Sequence, residues 1–185
     1  MKIYYADIRG VDERDALYPP LSESPGSALG VSLLAVAYED YKNSHTPLIK
    51  RLLKTSGSPN YHFSISHSRT HVLCALSGTP VGADTLDHRH VRQHSINKLV
   101  TQTELEDFSF HEIWALRESF FKLTGTGNLR TMRFSRDNGK IKGPRPDVYS
   151  RLYDDIEGSS TAVSAYNDRF PDSLIEIPVK KLLKK

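Results

Sequence analysis

Around Tyr61 the spacing of apolar residues changes from helical to alternating, and no other feature narrows the possible folds as much. Upstream, Leu29, Leu33, Val36 and Ala37 recur at helical spacing as far as Tyr41, after turn signals at Pro19-Pro20 and Pro25-Gly26. A second, basic amphipathic piece runs from Leu48 to Lys54 and ends at Ser56-Gly57-Ser58-Pro59. Downstream, Phe63, Ile65 and His67 alternate with Ser64, Ser66 and Ser68. Val72 to Leu76 and Val81 to Leu86 then flank Ser77-Gly78-Thr79-Pro80, the pattern of a strand followed by a hairpin. The helical period returns at Ser95, with Thr103 and Glu106 spaced as a capping box before a polar helix. The main helix is predicted from His111 to Thr124, closing on Gly125 and Gly127. Asp137-Asn138-Gly139 marks another hairpin, and strands over Asp147 to Asp155 and Thr161 to Tyr166 lead to Leu174-Ile175-Glu176-Ile177 and a lysine tail. The expected class is α+β with mainly antiparallel sheets. A weak internal similarity relates Thr70 to Asp84 to Thr161 to Ile177, each reading as strand, proline-containing turn and strand.

Composition excludes several classes. With 185 residues, 38% hydrophobic and 25% charged, the chain can bury an ordinary core as one unit or two small ones packed closely. Its longest uncharged run, Ser24 to Tyr38, contains Pro25, Gly26 and Gly30, so no membrane span is expected. The first residues carry Lys2, Asp7, Arg9, Asp12 and Glu13 and lack the apolar stretch of a signal peptide, so a cytoplasmic location is the expectation. The lone Cys74, inside Val72 to Leu76, reads as a small buried hydrophobe. The formal charge of +3 rests on the four lysines of residues 180–185, without which 21 basic residues face 22 acidic ones. A balance set by one tail does not describe a nucleic-acid-binding face, and nucleic acid is not an expected partner.

Three features carry chemistry. Wound at about 3.6 residues per turn, Ile113 to Leu123 buries Ile113, Leu116, Phe120 and Leu123, and separates off a stripe of Trp114, Glu118 and Lys122. An exposed Glu-to-Lys pair is the plain reading of that stripe. In Val81-Gly82-Ala83-Asp84 a carboxylate ends an apolar strand just after a glycine that permits close approach. Asp84 and Glu118 suit an oxygen-seeking cation such as Mg²⁺ if the strand end meets the helix. In Phe63 to Ser68, hydroxyls and an imidazole could bind a phosphate, or form a polar edge strand. His88, His90 and His94, interleaved with Arg89 and Arg92, read as a solvated segment and not as zinc ligands.

Taken in order, FSISHS at 63–68, VGAD at 81–84 and WALRESFFKLTGTG at 114–127 resemble the signature of the 4′-phosphopantetheinyl transferases of the single-chain, two-half type. The resemblance implies a pseudodimer of two similar halves, here 1–95 and 96–185, the second ending in a basic helix, with the active site in the cleft between them. It implies transfer of 4′-phosphopantetheine from coenzyme A to a serine of an acidic apo carrier protein, with Mg²⁺, by a monomer that releases 3′,5′-ADP. By position, Asp84 and Glu118 would bind the metal, Glu118 would help deprotonate the serine, and Lys122 would stabilise or protonate the leaving phosphate. Ser66, His67, Arg117 and Lys122 would contact coenzyme A, Arg117 standing where the family has lysine. Three positions depart from the family. Leu86 replaces the second strand carboxylate, Ser58 stands where lysine is common, and Ser27 where arginine is. Lys50, Arg51, Lys54 or Arg69 are the candidates to restore the lost positive charge. A diverged homologue that binds coenzyme A or a carrier protein without transfer is the alternative.

Overall fold

The structure is a computed structural model and describes residues 1–20, 28–42 and 61–184. The expected turn at Pro25-Gly26, the piece from Leu48 to Lys54, and Ser27 and Ser58 lie outside them. In chain order the elements are β1 (Lys2–Asp7), α1 (Ala28–Lys42), β2 (His62–His67), β3 (His71–Ser77), β4 (Val81–Asp87), α2 (Gln93–Leu99), α3 (Gln102–Asp107) and α4 (Phe110–Thr124). Then follow β5 (Ser135–Asp137), β6 (Lys140–Lys142), β7 (Tyr149–Tyr153), β8 (Ser159–Ala165) and β9 (Ile175–Glu176). The class is α+β, and among the described residues every strand pair is antiparallel except β1 with β9.

The expected hairpin between β3 and β4 does not form. Both edges of β3 are taken, by β2 (Ile65 opposite Cys74) and by β1 (Tyr4 opposite Cys74). Strand β4 therefore leaves for a second sheet, where it pairs with β8 from Val81 opposite Ala165 to Asp87 opposite Ser159. The result is a four-stranded sheet in the order β2-β3-β1-β9 and a three-stranded sheet in the order β4-β8-β7. The two internally similar segments make the same crossing in opposite directions: β3 to β4 leaves the first sheet for the second, and β8 to β9 returns.

The apolar clusters order the layers. Tyr4, Ala6, Val72, Cys74 and Leu76 face Leu29, Leu33 and Leu34 of α1. Ile3, Leu73 and Ala75 face Val81, Ala83 and Val163 of the second sheet. Ala162, on that sheet's other face, packs with Ile113, Leu116 and Phe120 of α4. Cys74 is unpaired and buried, and burial pushes its thiol well above the usual range. At Asn138-Gly139 both residues have positive φ, 50° and 77°, the requirement of the tight turn joining β5 to β6. The end of the chain is a 3₁₀ turn, Val179–Leu182, where a basic helix was expected. It is fastened to residues 15–17 by the Leu17 N–H on the Leu182 carbonyl (2.7 Å) and the Lys184 N–H on the Asp15 carbonyl (2.9 Å). No helix among the described residues is long and apolar enough to cross a membrane.

Two local devices fix α4. Ser109 and Glu112 form a reciprocal capping box, and Gly125, at φ 64°, ends the helix in the left-handed conformation. Beneath it, α3 is capped by Thr101 with Glu104, two residues before the expected Thr103 with Glu106. The Glu104 carboxylate also takes both oxygens to Arg117 Nη2 (2.9 and 3.0 Å), while Arg117 Nη1 donates to the carbonyls of Leu99 and Leu129. Neither side chain of this pair is more than 2% exposed. Gly82 sets how closely α4 approaches the sheet, since a Cβ there would lie 2.0 Å from the Ser119 carbonyl oxygen and 2.6 Å from Leu123 N.

Two predictions follow from this packing. Gly82→Ala forces backbone apart at the β4–α4 contact and should cost about 1–3 kcal/mol or more in denaturant unfolding. For Glu104, burial alone would raise the carboxyl pKa, but the bonds from Thr101 and Arg117 outweigh it and hold the group below the usual carboxylate range. A depressed folded-state pKa means stability present above about pH 4.3 and lost as pH falls through the folded value. Glu104→Ala should therefore cost about 3–5 kcal/mol near neutral pH, by leaving Arg117 buried and unpaired, and should flatten the acid limb of the stability curve.

Candidate active site

Along β4 the side chains alternate, so that Val81 and Ala83 face the first sheet while Gly82 and Asp84 face α4. Among the described residues the outer edge of β4 has no strand beside it in its own sheet, and β2 supplies serine hydroxyls there instead. Ser64 Oγ accepts from Ala83 N (2.9 Å), and Ser66 Oγ accepts from Thr85 N (3.3 Å). Ser66 Oγ also donates to Asp84 Oδ1 (2.7 Å). The alternating serines of the FSISHS segment thus join one sheet to the other, the structural side of the expectation placed on them.

Lys122 of α4 reaches the same point. Its Nζ lies 2.7 Å from Asp84 Oδ1, 3.1 Å from the Ala83 carbonyl and 3.5 Å from the Ile65 carbonyl. The lysine therefore pairs across to the strand, not along the helix with Glu118 as the plain reading of the stripe had it. Glu118, one turn back, is half-buried. Its pKa is raised first by burial and then by the negative charge of Asp84, against the opposing pull of Lys122 and a hydrogen bond from Trp114. The stripe 114–118–122 thus meets the strand end, bringing together Asp84, Glu118, Lys122 and Ser66. Two carboxylates and one ammonium at such a point can bind a cation and handle a proton beside phosphoryl oxygens. The main-chain oxygens that hold Lys122 have no signature in a sequence and were not anticipated.

Arg117 is the member that the structure removes. It has no exposed surface, its Nη1 and Nη2 are held by two carbonyls and by Glu104, and its Nε is buried without a hydrogen-bond partner, so no part of it is open to a ligand at the Asp84 cluster. The cause is the helical turn, which puts residue 117 about 100° away from residue 118 and into the core behind it. His67, at the end of β2, is exposed and lines a cleft of about 590 Å³ together with Leu86. Leu86 belongs to none of the apolar clusters. Asp87 does not take up the missing carboxylate role. Its oxygens accept from Arg69 N (2.9 Å), Thr70 Oγ1 and Ser159 Oγ (3.2 Å), away from Asp84. His90 and His94 are exposed, and His88 Nε2 bonds Ser160 Oγ (2.8 Å). Among the described residues no three His, Cys, Asp or Glu side chains converge as a metal cluster, so Asp84 and Glu118 stand as a pair.

No family model matches the chain. Individual relatives do. The chain is 28% identical over 143 residues to the 4′-phosphopantetheinyl transferase Sfp of Bacillus subtilis (strain 168), which covers 68% of this chain and 64% of that protein. A further 4′-phosphopantetheinyl transferase of Bacillus subtilis is 29% identical over 134 residues, 63% of this chain and 60% of the relative. The 4′-phosphopantetheinyl transferase gsp of Aneurinibacillus migulanus is 36% identical over 76 residues, 36% and 32% of the two chains. The matched region thus spans less than two thirds of these relatives' own length. The chain is thus similar in sequence to several 4′-phosphopantetheinyl transferases, Sfp among them, and its α+β fold brings the three signature segments to one place.

Proposed function

We propose that the protein transfers the 4′-phosphopantetheine group of coenzyme A to a serine of an acidic apo carrier protein and releases 3′,5′-ADP. The observation that carries this reading is the meeting of Asp84, Glu118 and Lys122 where β2, β4 and α4 converge. We further take the chain as two halves, 1–95 and 96–185, acting as a monomer in the cytoplasm. The opposite crossings of the two similar strand pairs support that division.

A divalent cation fits the residues present. Asp84 already holds a positive charge, that of Lys122, on Oδ1, and its negative charge is felt at Glu118. Mg²⁺ commonly takes one or two carboxylates and fills its remaining positions with water and substrate phosphates, which matches a site with two carboxylates and an apolar third position. Asp84 and Glu118 would hold it, and it would supply charge neutralisation on the diphosphate under attack. Glu118 accepts the proton of the attacking serine hydroxyl. Lys122 offers positive charge, and a proton, to the departing phosphate. Ser66 orients Asp84, and His67 stands at the cleft for the nucleotide end of the donor.

Leu86 favours one second reading, a homologue that grips coenzyme A or a carrier without transfer. Incubation with coenzyme A, Mg²⁺ and a panel of apo carriers, followed by mass spectrometry of each carrier, separates the two. A mass gain on a carrier serine is expected, and coenzyme A binding with no modified carrier would establish the second reading. Glu118→Gln should abolish transfer, and Lys122→Ala should lower kcat by about 10²-fold with little change in KM. Leu86→Glu should tighten Mg²⁺ binding measured without coenzyme A while leaving Tm nearly unchanged, because Leu86 lies in none of the apolar clusters.

A further inference from the structure

The Lys122 ammonium carries three protons and meets three oxygens: Asp84 Oδ1 (2.7 Å), the Ala83 carbonyl (3.1 Å) and the Ile65 carbonyl (3.5 Å). A carboxylate oxygen with two main-chain carbonyls is the kind of cage that holds a small cation, and here the cation is tethered to α4. The carbonyls belong to β4 and β2, so the same ammonium sits across the join between the two sheets. Asp84 Oδ1 is filled twice, since Ser66 Oγ donates to it as well (2.7 Å). Asp84 Oδ2 accepts from no described residue.

Two features mark this contact as one that can be released. The Glu104–Arg117 pair, anchored on the same helix, shows the permanent arrangement, with both carboxylate oxygens engaged and side chains only 2% and 0% exposed. The Lys122–Asp84 pair rests on one carboxylate oxygen, and its side chains are 29% and 10% exposed. Lysine's flexible stem lets the ammonium change partners while its Cα stays in the helix. A dication on the other oxygen of Asp84 would share a single carboxylate with that ammonium, and a like charge within about 4–6 Å shifts such an equilibrium by a factor of ten or more. A diphosphate diester carries two negative charges to the single one of Asp84, and so draws the ammonium off.

We propose that Lys122 is the protein's resident counter-ion for Asp84, and that it keeps a divalent cation off the free protein until a diphosphate takes the lysine away. Metal and donor then bind as one event, and neither Asp84 nor Lys122 is left without an opposite charge. The proposal rests on the transferase reading above for its metal and its diphosphate.

Calorimetry of Mg²⁺ on the full chain, without coenzyme A, tests it. Lys122→Met and Lys122→Gln should each lower the Mg²⁺ Kd by about tenfold, whereas Lys122→Arg, which keeps the charge, should bind Mg²⁺ as weakly as wild type. Coenzyme A titrated without metal should respond in the opposite sense, binding the two neutral variants more weakly than wild type. Loss of the ammonium strands the Asp84 carboxylate, so both neutral variants should melt below wild type, and Mg²⁺ at one fixed concentration should raise their Tm by more than it raises that of wild type. A lysine that only contacts phosphate would weaken coenzyme A binding and leave Mg²⁺ binding alone. An unchanged Mg²⁺ Kd in both neutral variants, an equal gain in Lys122→Arg, or undiminished coenzyme A binding therefore overturns the proposal even if the wild-type protein modifies carriers. Tighter Mg²⁺ binding in the neutral variants alone, with weaker coenzyme A binding and no carrier modified by wild-type protein, leaves the proposal standing and overturns the transferase reading.

Discussion

Two serine hydroxyls do for β4 what a neighbouring strand's carbonyls would ordinarily do. Ser64 and Ser66 accept from the Ala83 and Thr85 amides and so bring β2, an edge strand of the first sheet, against the open edge of the second. A buried amide without a partner costs on the order of 1–3 kcal/mol, so the two hydroxyls also close an edge that would otherwise have to stay wet. They hold the sheets in register at the residues that matter for chemistry, because Ser66 spends its own proton on Asp84.

The consequence for the site is that Asp84 is positioned from two directions. From one side it receives Ser66 on a strand, and from the other Lys122 on a helix. The helix can come close enough only because Gly82 has no side chain. Position 84 then looks across a glycine-width gap at α4, and Glu118 falls within range of its charge. Capping box, left-handed Gly125 and the Glu104–Arg117 pair all fix the same helix. Charge is thus held in place from several sides, and Leu86 and His67, from the neighbouring ends of β4 and β2, line a cleft of about 590 Å³.

Much of this was legible in the residues. The stripe 114–118–122 follows from helical geometry alone, and the glycine and carboxylate of VGAD pointed to a close contact at a strand end. What failed did so for identifiable reasons. Strand β3 is buried along its whole length, the mark of a central strand, yet a short turn before another apolar run reads as a hairpin when the third and fourth partners lie far away in sequence. Thr101-Gln102-Thr103-Glu104-Leu105-Glu106 contains two overlapping capping boxes. The tertiary pairing of Glu104 with Arg117 decides between them. Arg117 itself was placed by resemblance, and the burial of a charge behind its helix depends on a partner 13 residues away.

The exchange of strands between the sheets also bears on how the chain acquires its structure. The three-stranded sheet needs residues 81–87 to meet 159–165, and β1 gains its parallel neighbour only from residues 175–176. No local hairpin can nucleate either pairing. Loop closure over such separations is entropically unfavourable before any contact rewards it, which makes folding slow relative to helical proteins of this size. The same interlock makes the late steps cooperative. A nascent chain ending near residue 95 would present β4 with its whole β8 edge unpaired, and only arrival of the second strand pair closes both sheets at once.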